Sequence, residues 1–362
     1  MRKRKEQLRA EMNDCQKALL GLLTINAIYH NGKEITVVGK PFFDEPQDVS
    51  GEEWKGIALS RLSSLGYSVS FEHNNGQTIL EITKSGEKRL KIPWLNIILL
   101  GLTLLTTLAA GAVFLKGENI ISNPLYILDG ASFALPLMAI LLFHESGHYI
   151  LSARRKIKTS LPYFIPGPTI FGTFGALIKS RSPFRSRKDL LDVSAAGPIS
   201  GFVVAIIFVI IGLSNSEVIK EVSGQGLSLG DSLIFLLLSH LVLRVPEGHT
   251  VLLSPMAFAG WGGLFVTMLN LLPIGQLDGG HIFYALFGKH QKKIAWLALI
   301  ALLPLGYFWQ GWLVWAALSI ILINPSHPPT LNDAIPLGTK RKILGYISFF
   351  IFILCFTPVP IR

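Results

Sequence analysis

The sequence is short of charged residues and of cysteine. Asp, Glu, Lys and Arg make up only 15% of its 362 residues, whereas a soluble domain carries roughly a quarter. Its two cysteines, Cys15 and Cys355, are too few for a disulfide framework or a cysteine-rich metal site. The basic N-terminus is not followed by an apolar stretch, so we expect no cleaved signal peptide. These shortages exclude a disulfide scaffold and argue against a wholly soluble chain.

Long apolar runs dominate the rest of the sequence. Half of the residues are hydrophobic, and from Pro93 onward they form runs close to the roughly 20 residues that cross a bilayer. The candidate spans are 94–115, 130–153, 190–213, 252–273, 293–307, 308–323 and 343–357. A shorter run over 231–244 is more typical of a re-entrant or interfacial helix. The sequence therefore predicts an α-helical polytopic membrane protein with about seven transmembrane helices.

The basic residues indicate an orientation in the membrane rather than a nucleic-acid surface. The net charge is +10, but Lys and Arg do not form a patch with interleaved aromatic residues. They are concentrated in 154–189, 288–293 and 324–342, and the alternate loops hold few of them. Because cytoplasmic loops carry an excess of Lys and Arg, we expect a cytoplasmic N-terminus, an external C-terminus and no nucleic-acid partner.

Residues 1–92 differ from the rest because charges occur throughout them. Their patterns predict helices over 1–25 and 50–65 and strands over 33–43, 67–72 and 77–83, with a hairpin turn at Asn74-Asn75-Gly76. This small α+β domain holds no catalytic constellation. We therefore expect it to be cytoplasmic and to dock a regulatory partner, while residues 93–362 form the membrane domain with its core over 130–340.

Two histidines and a glutamate lie within one of the apolar runs. His144 and His148 are four residues apart, so on a helix both imidazoles face one side, where they can bind a single ion. Glu145 is placed to take a proton from a metal-bound water. Ionisable groups inside a membrane span are costly and usually functional. The pattern predicts a catalytic zinc site, and a polar cluster that holds helices together is the alternative.

A catalytic zinc site uses three protein ligands, and Asp278 is the candidate for the third. Pro273 should end the preceding helix, and Gly279 and Gly280 leave irregular backbone beside Asp278. Such backbone at membrane depth must be buried in protein or line a cavity, and a carboxylate there needs a partner such as zinc. In the predicted topology both motifs lie toward the cytoplasmic side, so they can meet. The alternative role for Asp278 is a cap for a helix over 280–287.

These residues and three further segments resemble the site-2 protease family of intramembrane zinc metalloproteases. The matching segments are His144-Glu145-Ser146-Gly147-His148, Gly172-Thr-Phe-Gly175-Ala-Leu-Ile178, Ala195-Ala-Gly197-Pro198-Ile-Ser-Gly201, Asn270-x-x-Pro273-x-x-x-Leu277-Asp278-Gly279 and His327-Pro-Pro-Thr-Leu-Asn332. The resemblance covers roughly residues 130–340. It is greatest to the branch of plant chloroplasts, cyanobacteria and other prokaryotes, which lacks PDZ and CBS domains.

The resemblance implies a role for each matching polar residue. His144, His148 and Asp278 would bind one Zn²⁺ ion. Glu145 would be the catalytic base and later the proton donor. Asn270 would face the site and hydrogen-bond the substrate or the oxyanion.

The resemblance also implies a substrate-binding element over residues 172–180. Gly172, Thr173, Phe174 and Gly175 would belong to an extended segment that pairs with substrate, and an ordinary packed loop is the alternative. His281 is interpreted either as a partner that supports the metal ligands or as a histidine at the start of a helix.

The implied reaction is hydrolysis of a peptide bond within or near a transmembrane segment, as in regulated intramembrane proteolysis. The expected substrate is a single-pass or signal-peptide-like membrane protein in the lipid bilayer, and the expected location is a prokaryotic cytoplasmic membrane. A membrane zinc protease with glutamate as third ligand fits less well, because no suitable downstream glutamate run is present. A membrane zinc-binding carrier or a non-proteolytic membrane chaperone is the alternative function.

Overall fold

The computed structural model of the chain describes residues 2–30, 34–42, 53–74, 77–84, 92–117, 123–180, 184–220 and 228–361. The chain forms two compact units, Met1–Ile92 and Pro93–Arg362. Among the described residues, the helices that are long and apolar enough to cross a membrane all belong to the second unit.

The N-terminal unit is a four-stranded antiparallel sheet with two helices. Its elements are α1 (Arg2–Ala18), β1 (Leu23–His30), β2 (Glu34–Pro41), α2 (Glu53–Ser64), β3 (Tyr67–Asn74) and β4 (Gln77–Lys84). The strands lie in the order β1-β2-β4-β3. Because strand side chains alternate between faces, Ile35 and Val37 point to one side. They share a buried core with Leu19, directly after α1, and with Trp54 and Leu62 of α2.

The predicted helix over 1–25 is wrong in its last part. Helix α1 ends at Ala18, Gly21 adopts a left-handed φ of +79°, and strand β1 follows. β1 exists through its antiparallel pairing with β2, and strand preference depends more on such partners than on local sequence. The predicted turn at Asn75-Gly76 lies outside the described residues.

The membrane unit has a helix in each of the predicted spans. Its helices are α3 (Trp94–Lys116), α4 (Ala131–Arg154), α5 (Arg187–Ser214), α6 (Leu233–Val242), α7 (Pro255–Asn270), α8 (Asp278–Phe287), α9 (Gln291–Phe308), α10 (Gly311–Leu318) and α11 (Thr339–Cys355). Three helical stretches of the described chain are long and apolar enough to cross a membrane, namely Trp94–Lys116, Leu125–Arg154 and Arg187–Ser214. The helical architecture is confirmed, whereas the total of about seven spans stays a prediction.

Helices α4, α5 and α7 lie at the centre of the membrane unit because small residues let them approach closely. A Cβ atom on Gly263 of α7 would lie 2.6 Å from Ile140 of α4, and one on Gly260 would lie 2.7 Å from Val209 of α5. Lipid provides no hydrophobic force between helices, so close packing of this kind holds them together. The candidate site described below is built on α4 where it meets α5, with further side chains from α7 and α8.

A β-hairpin packs beside the helices and confirms the predicted extended segment. Its strands are β5 (Tyr163–Pro166) and β6 (Thr173–Leu177), which pair antiparallel. Gly172 has φ +73°, and a Cβ there would lie 2.3 Å from the Thr106 carbonyl oxygen of α3. Glycine is therefore needed at this turn, because both the backbone angle and the contact exclude a side chain. A second pair of short strands, β7 (Glu217–Lys220) and β8 (His249–Leu252), lies elsewhere in the unit.

Candidate active site

His144 and His148 lie one turn apart on α4, as the sequence predicts. Their ring centroids are 4.9 Å apart, and their Nε2 atoms are separated by 3.2 Å. The His144 side chain is 5% exposed and that of His148 is 12% exposed. Two buried imidazole nitrogens this close to each other form one half of a metal site.

Asp278 reaches the same point from the start of α8. Its Oδ2 atom lies 3.2 Å from His144 Nε2 and 3.3 Å from His148 Nε2. The backbone before α8 folds back on itself, since a Cβ on Gly279 would lie 2.0 Å from the Leu271 carbonyl oxygen. The Gly279 position therefore accepts only glycine, and this close turn brings the carboxylate to the histidines.

The three donor atoms fit a single tetrahedral ion. They form a nearly equilateral triangle with sides of 3.2, 3.2 and 3.3 Å. Zinc bonds of about 2.0–2.1 Å place two tetrahedral ligands roughly 3.3 Å apart. Metal ions are held by clusters of His, Cys, Asp or Glu side chains. Within the described chain, His144, His148 and Asp278 form such a cluster of three. Three protein ligands leave a fourth position for water, which is the arrangement of catalytic zinc sites.

Helix α5 orients both imidazoles. His148 Nδ1 donates a hydrogen bond of 2.9 Å to the Val193 carbonyl, which leaves Nε2 unprotonated for a metal. A Cβ atom on Gly197 would lie 2.0 Å from His148 Nε2, and one on Gly201 would lie 3.1 Å from His144 Nδ1. The lack of a side chain at both glycines therefore lets α5 approach the two candidate metal ligands themselves.

Glu145 and Asn270 border the same cavity as the three ligands. The cavity has a volume of about 730 Å³. Glu145 is only 4% exposed, and it follows directly after His144 on α4. Asn270, the last residue of α7, has its Nδ2 atom 3.4 Å from His144 Nε2. A carboxylate, an amide and the candidate metal ligands thus face one cavity.

The hairpin lines the cavity with the second half of the predicted 172–180 segment. The cavity is lined by residues 176–180, and Gly172, Thr173, Phe174 and Gly175 do not line it. The Thr173 hydroxyl is used within the hairpin, where it donates to the Ile165 carbonyl at 2.7 Å. A period-two pattern identifies a strand but not the stretch of it that meets a distant helix.

Two residues bordering the cavity have contacts that the sequence does not reveal. His281 Nδ1 lies 2.5 Å from His327 Nε2. His281 therefore contacts His327 and not the candidate metal ligands that it was interpreted to support. His327, together with Pro328, Pro329 and Thr330, lines the cavity from a non-helical segment. The resemblance includes this segment without assigning it a function. The sequence does not show that this segment lies near the site, because His327 is about 50 residues beyond Asp278.

Comparison with known proteins identifies the domain that contains this site. The sequence model of peptidase family M50 matches residues 132–305, which include every candidate metal ligand. The chain carries a peptidase family M50 domain. This result confirms the predicted family, because M50 is the family of site-2 proteases.

Three curated relatives of the chain are plant proteins. Probable zinc metalloprotease EGY1, chloroplastic, from Arabidopsis thaliana is 35% identical over 239 residues, covering 62% of this chain and 43% of the relative. Probable zinc metalloprotease EGY2, chloroplastic, from the same plant is 31% identical over 240 residues, covering 64% and 42%. Probable zinc metalloprotease EGY3, chloroplastic, from Oryza sativa subsp. japonica is 26% identical over 308 residues, covering 77% and 50%. The chain thus spans half or less of the length of these relatives.

Proposed function

We propose that this protein is an intramembrane zinc metalloprotease that hydrolyses peptide bonds within or near a transmembrane segment of a membrane protein. The observation that carries the proposal is the triangle of His144, His148 and Asp278 donor atoms beside buried Glu145 in one cavity. The M50 domain and the names of its relatives, each called a zinc metalloprotease or metallopeptidase, support the same reaction.

In this proposal each polar residue of the cavity has one task. His144, His148 and Asp278 hold the zinc ion, and the Val193 carbonyl keeps His148 in the required tautomer. Bound zinc supplies a water with a pKa lowered toward about 7 and an electrophile for the scissile carbonyl. Glu145 accepts the proton from the attacking water and delivers it to the leaving amine.

Asn270 has a separate task in the same reaction. Its side-chain amide donates to the substrate carbonyl as negative charge develops on the oxygen. Its position, with Nδ2 3.4 Å from His144 Nε2, keeps the donor beside the metal ligands.

The free edge of the hairpin would hold the substrate in an extended form. The backbone N–H and carbonyl of Lys179 point toward the β5 side of the hairpin. The carbonyl accepts from Ser160 N at 2.9 Å, and the N–H donates to Ser160 Oγ at 2.9 Å. Backbone groups of successive strand residues alternate between the two edges. Those of Ala176 and Ile178 therefore face the opposite edge, where a substrate strand can add.

The wider setting follows from the sequence patterns. The protein has about seven transmembrane helices, and the substrate is a single-pass or signal-peptide-like membrane protein. The N-terminal unit, residues 1–92, lies on the cytoplasmic or equivalent side and docks a regulatory partner. The chloroplastic names of the relatives are in mild conflict with the expected prokaryotic membrane. We infer a membrane of bacterial or chloroplast type.

Zinc content and substrate trapping test the proposed function. Glu145→Gln should retain one zinc ion per chain, lose cleavage and hold its substrate in the native membrane, where mass spectrometry can identify it. His148→Ala and Asp278→Ala should lose zinc in elemental analysis. Glu247→Gln, a change at an exposed glutamate outside the cavity, is the matched control.

Two outcomes would contradict the proposed function. Full zinc retention by His148→Ala and Asp278→Ala would show that the ligands are misassigned. Cleavage by zinc-loaded Glu145→Gln at the wild-type rate would remove the protease assignment. In that case the zinc-carrier or chaperone alternative, which has no use for Glu145 beside the ligands, would take its place.

A further inference from the structure

A pair of histidines lies in the active-site cavity beyond the three metal ligands. His281 is three residues after Asp278 on α8, and residues at this spacing share one face of a helix. His327 approaches it from the segment between α10 and α11. Both imidazoles line the cavity that contains Glu145 and the candidate metal ligands.

The segment that carries His327 is held in place at both ends. On one side, His327 N donates to Gln291 Oε1 at 3.1 Å. On the other side, Leu331 N donates to the Phe184 carbonyl at 3.0 Å. The ring of Tyr284 stacks on His327 with a centroid distance of 4.4 Å. The His327 imidazole therefore has a defined position.

Hydrogen bonding determines which nitrogen of each imidazole carries the proton. His327 Nδ1 contacts the Pro328 carbonyl, which only accepts, so Nδ1 of His327 carries a hydrogen. In the neutral ring His327 Nε2 is then an acceptor, and it lies 2.5 Å from His281 Nδ1. His281 Nδ1 must be the donor of that hydrogen bond. Consequently Nε2 of His281 has a free lone pair.

We propose that His281 is a further substrate-contacting residue, whose Nε2 accepts a hydrogen bond from a backbone N–H of the substrate, and that His327 is the positioning residue that fixes its tautomer. The inference rests on the proposed protease function. Within the described chain no hydrogen bond to His281 Nε2 is found.

The chemistry of the substrate favours a backbone N–H as the donor. A transmembrane helix must unwind before it is cut, and each N–H released in a dry site needs a new acceptor. The carboxylates of Glu145 and Asp278 already serve proton transfer and metal binding. His281 Nε2 is then a side-chain acceptor that the reaction itself does not use, and it would add to the backbone acceptors of the hairpin edge.

Two substitutions of His281 separate its two nitrogens. His281→Asn keeps a polar atom near the Nδ1 position and removes the acceptor at Nε2, whereas His281→Gln places a carboxamide oxygen near the Nε2 position. With a substrate captured by the Glu145→Gln protein, His281→Asn should lower kcat/KM by roughly 10- to 100-fold. His281→Gln should recover most of that loss, and zinc content should stay at one ion in both. His290→Asn, at an exposed histidine outside the cavity, is the matched control.

A double-mutant cycle tests the role of His327. If His327 acts only through His281, His327→Ala should lower kcat/KM in the wild-type background and have no further effect in the His281→Asn background. The nitrogen chemical shifts of histidine side chains in the full-length zinc-loaded protein give a readout without substrate. The signal that disappears in His281→Asn should be that of an Nδ1–H tautomer.

Several results would overturn the inference. They are an Nε2–H tautomer for His281, additive effects of His281→Asn and His327→Ala, or loss of zinc in parallel with activity in both variants. Wild-type cleavage by His281→Asn, with Glu145→Gln inactive, would remove this inference alone. Wild-type cleavage by Glu145→Gln would instead remove the proposed function on which it rests.

Discussion

Replacing Gly197 with alanine tests the closest contact between α5 and a metal ligand. The added Cβ would lie 2.0 Å from His148 Nε2 and 2.4 Å from its Cε1 atom. Ordinary van der Waals contact begins at 3.4 Å, so the ring must retreat by about 1.4 Å. Metal–ligand distances tolerate changes of only about 0.2 Å. His148 cannot keep both its place at the metal and its distance from the new methyl group.

The size of the effect follows from the cost of overpacking. Inserting a methyl group into a packed interior costs about 1–3 kcal/mol. If the helices keep their positions, this strain raises the free energy of the zinc-bound state, in which His148 must stay at the metal. Since each 1.4 kcal/mol is about tenfold in an equilibrium constant, zinc should bind roughly 5- to 150-fold more weakly. Cleavage should fall with zinc occupancy.

A graded set of glycines provides the controls. Gly201→Ala places its Cβ 3.1 Å from His144 Nδ1, so a shift of a few tenths of an ångström suffices and a small effect is expected. Gly101→Ala, within α3, meets nothing within 4 Å and should leave zinc binding unchanged. Zinc affinity is measured by competition with a chromophoric chelator in detergent. Wild-type affinity and cleavage in Gly197→Ala would refute the packing of α4 on α5.

Three further predictions concern other parts of the chain. Asn270→Ala should lower kcat by about 10- to 1000-fold with zinc content unchanged, and a parallel loss of zinc in elemental analysis would contradict it. Asp192 accepts hydrogen bonds from Arg155 and, at 2.9 Å, from Arg341 Nε. Asp192→Asn should therefore lower the free energy of unfolding by about 1–3 kcal/mol, and an unchanged Tm in detergent would refute this. Burial raises the pKa of Cys15 to about 11, so about 0.1% is thiolate at pH 8, and maleimide should label Cys15 at that pH far faster after unfolding than before.

The candidate metal ligands could be predicted because their signals are local. A separation of four residues places His144 and His148 on one face in any helix, and the structure shows their Nε2 atoms 3.2 Å apart. Asp278 could be inferred because the proline and glycines around it predict irregular backbone, which membrane depth tolerates only at a cavity. Its Oδ2 atom indeed meets both imidazoles.

The sequence was a weaker guide where contacts between distant segments decide the structure. Residues 23–30 form a strand rather than the end of a helix because β2 is available for pairing. The hairpin lines the cavity with residues 176–180, the later part of the predicted 172–180 segment, whereas Gly172 contacts α3. Neither contact leaves a periodic signal in the residues concerned.

The sequence by itself determined the class of the protein, its division near residue 92 into two compositions, and the candidate metal-binding side chains. These depend on hydropathy and on spacing within single helices, which are properties of the chain. Only the tertiary structure decided that Gly197 supports His148, that Asp278 completes a triangle of 3.2–3.3 Å sides, and that His327 fixes the tautomer of His281. These depend on distances of a few ångströms between residues up to 134 positions apart, which the packing of α4, α5, α8 and the segment that carries His327 determines.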